Sequence, residues 1–203
     1  MSEEIRNFKS SLIIASSNPG KIKEFKKLLS FLPINISPQP EDLNVIETGT
    51  TFAENARIKA LSVAALTDKF SLADDSGLSV EALDGAPGIY SARYADSDEE
   101  RIKRLLKEIE PFENRNAIFI AALCLVSQEG KVLLEVEGKC EGFIVDKARG
   151  NNGFGYDPIF EVKSIGLTFA EMNKEQKEKF SHRGKAFKAL LPGIKKIFQC
   201  SNY

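Results

Sequence analysis

Ser16-Ser17-Asn18-Pro19-Gly20-Lys21 is the first stretch whose residue types could do chemistry. It follows the short run 11–15, which reads as a buried strand. A strand feeding a helix start gathers unpaired backbone N–H groups and the positive end of the helix dipole, and both favour an anion. Lys21 adds a formal charge. The segment is not a P-loop, since Ala15 stands where the first glycine belongs and Ile22 replaces the Ser or Thr that would hold Mg²⁺. The same residues also read as an ordinary capped helix with a surface lysine, Asn18 being the N-cap and Pro19 the first helical residue.

Thr51-Phe52-Ala53-Glu54 matches the capping box and opens an alanine-rich helix to about Leu66. Phe52, Asn55 and Lys59 share one face of it, starting near its positive end, so Lys59 is in reach of a phosphate. The cap accounts for Glu54. Glu47, in the polar loop before the helix, has no such structural explanation. Asp74-Asp75-Ser76-Gly77 is expected to close the strand Phe70–Ala73. Consecutive strand residues point to opposite faces, so at most one aspartate enters a cleft, and the other serves the loop. An aspartate pair at a turn is more often structural, but Glu47 and two phosphate-seeking lysines tip the balance toward an Mg²⁺ site. Gly153-Phe154-Gly155-Tyr156-Asp157-Pro158 sets two aromatic rings among glycines, either as a flat surface for a purine or as a packed aromatic turn. His182, the only histidine, adjoins Arg183 after a helical stretch that carries Lys177. A lone histidine is usually structural, yet this pair offers donors for carbonyl or phosphate oxygens.

The elements that must position these groups are legible from pattern. Helices are expected from Pro19, with Ile22, Phe25 and Leu29 buried, over Ser97–Ile109, over Glu175–Phe180, and along the stripe Phe187 to Phe198, which Pro192-Gly193 should break or kink. A short strand near Ile34–Ser37 and a strand at Ile159–Val162 are expected, with a long hairpin, Ala117–Ser127 and Lys131–Val145, between them in sequence and near a sheet edge. Alternating helices and strands, then an antiparallel pair, make an α/β class with a mixed sheet.

Composition excludes several functions. With 203 residues, 42% of them hydrophobic, the chain fits one large domain or one two-lobed unit. A net charge of −1 argues against a polycation built for nucleic acid. The charges are segregated: residues 41–110 are acidic on balance and residues 171–203 basic, as facing walls of a cleft or as solvated faces. The longest apolar run, Ala117–Val126, is too short for a bilayer, which excludes a membrane helix. The amino end, with Glu3 and Glu4, does not read as a signal peptide, so a cytoplasmic location is expected. Cys124, Cys140 and Cys200 form neither a disulfide set nor a CxxC metal pair and are expected to be buried or incidental thiols.

Taken in order, Ser17-Asn18-Pro19-Gly20-Lys21, Phe52-Ala53-Glu54-Asn55-Ala56, Asp74-Asp75-Ser76-Gly77-Leu78, the run from Gly85 to Tyr94, the run from Gly153 to Phe160, and Ser181-His182-Arg183 strongly resemble the Ham1/ITPase family of non-canonical purine nucleoside triphosphate pyrophosphatases, of bacterial type. Each motif alone is weak; their order from about Ile13 to Leu191 is specific. The resemblance implies one two-lobed α/β domain over residues 1–203, with a long curved mixed sheet flanked by helices and an active-site cleft between the lobes. It also implies a homodimer and Mg²⁺-dependent cleavage of ITP, dITP and XTP to monophosphate and pyrophosphate. By it, Ser16, Ser17, Asn18, Pro19, Gly20 and Lys21 hold phosphates, Asp75 is general base and Mg²⁺ partner, and Ser76 contacts substrate. Phe154, Gly155, Tyr156, Asp157, Lys177, His182 and Arg183 bind the nucleotide. Relatives often pair two glutamates before Thr-Gly, whereas this chain has Ile46-Glu47, so metal ligation rests on Glu47 or on Asp74 and Asp75.

The chemistry suits these residues. Water attacks the α-phosphorus while pyrophosphate leaves with most of the charge, so a carboxylate, Mg²⁺ and several lysines cover activation and leaving-group stabilisation. Two alternatives stand beside this reading: a Maf-like pyrophosphatase of other base specificity, and a module that binds a nucleotide without cleaving it.

Overall fold

The computed structural model describes residues 11–199. Its strands are β1 (Ser11–Ala15), β2 (Asn35–Pro38), β3 (Phe70–Val80), β4 (Asn116–Val126), β5 (Val132–Ile144) and β6 (Phe160–Val162). Its helices are α1 (Pro19–Leu28), α2 (Phe52–Thr67), α3 (Asp98–Ile109), α4 (Lys174–Phe180) and α5 (His182–Gln199). One mixed sheet runs in the order β2-β1-β3-β4-β5-β6, with β2 and β3 parallel to β1 and the remaining neighbours antiparallel. No helix among the described residues is long and apolar enough to cross a membrane.

Local chemistry starts the helices. Asn18 accepts from the N–H groups of Gly20 and Lys21, and Pro19, which has no N–H to lose, opens α1. At α2, Thr51 and Glu54 complete a capping box, each binding the other's backbone. Ser97 caps α3 and Asn173 caps α4. One expectation fails. Asp74-Asp75-Ser76-Gly77 does not end a strand: β3 continues to Val80 and pairs residue by residue with β4, Asp75 opposite Ala122 and Ser76 opposite Ala121. The long ladder and the cationic partners described below outweigh the turn propensity of these residues. Of the break or kink expected at Pro192, the break does not occur, and α5 runs through it. Leu190, Ile194 and Phe198 lie buried on both sides of it, and packing them offsets the roughly 3 kcal/mol a helical proline costs.

The core has three parts. Leu72 belongs to a cluster with Phe25, Leu123, Leu190 and Ile194 on the sheet face covered by α1 and α5. Ala73, its neighbour, belongs to a second cluster with Ala56, Ala60, Val63 and Cys124, under α2 on the opposite face. A third gathers Leu78, Leu105, Phe119, Phe160 and Phe169 at the far end of β3 and β4. The middle of β3 therefore lies where the three meet. Cys124 and Cys140 are buried free thiols, as expected, and Cys200 lies outside the described residues. The hairpin expectation is half met: β4 is interior, whereas β6 covers β5 only at Gly142–Ile144. Along the rest of β5 the edge is open among the described residues, and the Lys185 ammonium donates to the Lys139 carbonyl at 2.9 Å.

Candidate active site

Because β3 continues through Asp74 and Asp75, strand alternation sends them to opposite faces. Asp74 points with Leu72 toward α1 and α5. There Lys21 Nζ reaches Asp74 Oδ2 at 2.6 Å, and Arg183 Nε stands 3.7 Å from the same oxygen. Ser76, on the same face, donates to Asp74 at 3.2 Å and accepts from Arg183 Nη2 at 2.9 Å. Lys21 is therefore no surface lysine: the capped-helix reading and the charged-site reading hold together, the backbone serving the cap and the side chain turning inward.

Asp75 points toward α2. Lys59 Nζ meets Asp75 Oδ1 at 2.8 Å and Glu47 Oε1 at 2.9 Å, and Arg93 closes on the other Glu47 oxygen at 3.1 Å. Burial opposes ionisation of both neighbouring aspartates, and their different partners make the net shifts opposite. For Asp74, burial opposes ionisation, but the charges of Lys21 and Arg183 outweigh it and hold the carboxyl well below the usual range. For Asp75, burial outweighs the pull of Lys59, and the carboxyl is raised. Asp74 is thus a fixed anion, while Asp75, only 8% exposed, is tuned toward taking a proton. Burial also opposes the charge of Glu47, yet its hydrogen bond to Lys59 and the charges of Lys59 and Arg93 keep it lowered.

The donor set fits a hard divalent cation. Asp75 Oδ2 is buried without a hydrogen-bond partner, and Glu47 and Asp75 already converge on one positive charge, the Lys59 ammonium. No cluster of three or more ligating side chains occurs among the described residues. Mg²⁺ commonly takes only one or two carboxylates and completes its shell with substrate phosphates and water, so two suffice. Asp74 faces away from this pair across the strand.

Around the start of α1, the Gly20 and Lys21 N–H groups go to Asn18 Oδ1, Ser16 Oγ accepts from the Asn18 N–H, and Ser17 is exposed. Across the site, the Phe154 ring is 44% exposed, with the Lys177 ammonium 5.2 Å and the Arg183 guanidinium 5.7 Å from its centre. Tyr156 is different: it is buried and its hydroxyl donates to the Ser91 carbonyl at 3.0 Å, so its ring is the packed aromatic turn and offers no open face. Asp157 is buried too, accepting from the Phe154 N–H at 2.8 Å and pairing with Lys177. Gly153 has φ +84° and no room for a Cβ against Asp157.

His182 stacks on Phe119 with centroids 4.6 Å apart and planes within 9°. Burial, reinforced by the Arg183 charge, lowers its pKa well below the ordinary value, so it is a neutral imidazole in the fold. The unfolded chain would protonate it below about pH 6.5, and binding more protons when unfolded makes stability fall as pH drops through that point. Denaturant titrations at pH 7.5 and 5.5 are expected to show less loss of stability in His182→Gln than in the parent. Equal losses would mean that His182 is not held neutral.

Glu24, which meets Arg183 at 3.3 Å, and Arg93 carry no spacing signal and were not singled out from sequence. Ser91 was also missed: its hydroxyl accepts from the Leu78 N–H and donates to the Gly88 carbonyl. A concavity of about 400 Å³ lies elsewhere, against Val80, Glu81, Asn116, Glu141 and Lys163, and contains none of the charged cluster.

The sequence model of the Ham1 family matches residues 12–193. The chain belongs to the Ham1 family. A dITP/XTP pyrophosphatase of Prochlorococcus marinus (strain MIT 9313) is 61% identical over 191 residues, 94% of each chain. A dITP/XTP pyrophosphatase of Synechococcus sp. (strain CC9311) is 57% identical over 188 residues, covering 93% of this chain and 91% of that one. Among solved structures, a HAM1 protein from Coxiella burnetii superposes with a TM-score of 0.86 at 40% identity, over 92% of this chain and 99% of its own. The Staphylococcus aureus Ham1 protein gives 0.84 at 39% identity, over 93% and 100%. The Ham1 architecture extends over almost all of the described residues.

Proposed function

We propose that this Ham1 chain hydrolyses non-canonical purine nucleoside triphosphates, ITP, dITP and XTP, to the monophosphate and pyrophosphate. The observation that carries the reading is the arrangement on β3: a buried Asp75 with one free oxygen, facing Glu47 and sharing Lys59 with it. Glu47 and Asp75 would hold Mg²⁺, which when bound supplies charge neutralisation for the phosphates and the attacking water. Asp75 takes the proton of the water directed at the α-phosphorus. Lys59 and Lys21 exchange their carboxylate partners for phosphate oxygens, so charge on the leaving pyrophosphate meets cations already in place.

Phe154 offers its open ring to the base, and Arg183 and His182 donate to the 6-oxo group that inosine and xanthine carry. Adenine presents a 6-amino donor there, and each unsatisfied buried group costs about 1–3 kcal/mol, which favours oxo purines. Arg183→Ala is therefore expected to lower kcat/KM for ITP and to change that for ATP less. Equal factors would make Arg183 a phosphate clamp.

Pyrophosphate release from ITP, XTP, dITP, ATP and GTP, with Mg²⁺ and with chelator, tests the whole reading. Release from the first three and not from ATP, and only with the cation, is expected; GTP shares the 6-oxo group, so its rejection would require a further contact at its 2-amino group. Thermal stabilisation by ITP without release would make the chain a binding module, and release confined to pyrimidine nucleotides would make it Maf-like. A cytoplasmic homodimer completes the proposal, and a solution mass twice that of the chain tests the dimer.

A further inference from the structure

We infer that Asp98, at the first residue of α3, is a positioning residue that sets the pose of Phe154. The inference rests on the proposal that Phe154 receives the base. The Phe154 ring hangs between two peptide planes, and each plane has its N–H taken by a carboxylate. The Phe154 N–H goes to Asp157 Oδ2 at 2.8 Å, within the same loop, and the Gly155 N–H goes to Asp98 Oδ2 at 2.7 Å, from a helix 57 residues away in sequence. Fixing both planes fixes the direction in which the intervening Cα projects its side chain.

An aspartate at a helix start is ordinarily explained by the helix dipole. Here both oxygens have specific partners. Arg101 Nη1 donates to Asp98 Oδ1 at 2.7 Å, and Arg101 is itself held by its Nε–H on the Ala95 carbonyl at 3.0 Å, so the carboxylate is aimed. The loop's own bonds, Asp157 accepting from the Phe154 N–H and donating to the Phe154 carbonyl, leave the Gly155 N–H to Asp98. Phe154 is flanked by Gly153 at φ +84° and Gly155 at φ +59°, and two such glycines make a hinge on either side of one ring. Tyr156, through its bond to the Ser91 carbonyl, anchors the root of the loop but lies beyond the second glycine. Asp98 is the contact that closes the hinge. Its side chain is 47% exposed, so water competes for the bond and the expected effect is moderate.

A positioning role separates binding from chemistry. With the full chain, Mg²⁺ and ITP, Asp98→Ala is expected to raise KM about tenfold while kcat stays within about twofold. Asp98→Asn keeps an acceptor oxygen and is expected to restore KM close to the parent. Hydrogen exchange of the Gly155 amide is expected to quicken in Asp98→Ala and not in Asp98→Asn. An unchanged KM in Asp98→Ala overturns the inference, as does an equal rise in both variants or a fall in kcat at constant KM. Phe154→Ala distinguishes the underlying reading: an unchanged KM there overturns the assignment of the ring to the base and the kinetic half of the inference with it, while amide exchange reports the Asp98 contact on its own.

Discussion

Replacing Asp75 by Asn is expected to lower kcat about a thousandfold and leave the protein folded. Asn keeps the shape and one acceptor for Lys59 but removes the proton-accepting charge, and a positioned general base contributes roughly 10²–10⁴ in rate. The fold has little to lose, because burial already disfavours the ionised Asp75 and Lys59 retains Glu47 as a partner. The measurement is kcat at saturating ITP and Mg²⁺, with a thermal melt of the same sample. A folded variant with the parent's kcat would remove Asp75 from the mechanism.

Gly138→Ala is expected to destabilise the protein strongly. Gly138 lies in β5 under the first turn of α5, and a Cβ there would overlap the His182 carbonyl oxygen and the Ala186 backbone nitrogen. Backbone cannot rotate aside as the tip of a side chain can, so α5 must lift or β5 must bend. Overpacking typically costs about 1–3 kcal/mol, and a backbone clash belongs at the upper end. For a chain of this size that lowers Tm by roughly 6–12 °C. The lifted turn carries His182 and Arg183, so kcat/KM for ITP should fall together with Tm. Parent-like values of both would mean that helix and strand do not approach this closely.

What the sequence made legible was local. The Asn18 cap and the Thr51–Glu54 box were readable because each closes within three residues, and the shared face of Phe52, Asn55 and Lys59 follows from helix geometry alone. The opposite facing of Asp74 and Asp75 followed from strand geometry. The strand's continuation did not, because Asp-Asp-Ser-Gly has the composition of a turn and only the ladder to β4 makes it a strand. The buried Leu78 and Val80 beyond it were the available signal. The continuity of α5 through Pro192 was hidden for a similar reason, since what holds α5 together is packing from distant strands. Tyr156 and Phe154 look alike in a glycine-rich loop, and only the Ser91 carbonyl distinguishes the packed ring from the open one. Arg93, Glu24 and Asp98 meet partners tens of residues away, which no local pattern encodes.

The open edge of β5 bears on how the protein behaves at high concentration. An unpaired strand presents a row of N–H and C=O groups on which another chain can add, which is how soluble proteins begin to aggregate. Here the row is interrupted where Lys185 occupies the Lys139 carbonyl, and Glu135, Glu137, Lys139 and Glu141 place a charge at every second residue. A strand docking alongside would have to strip water from those charges and displace an ammonium group. The charges along this edge therefore raise the cost of adding a second chain to it.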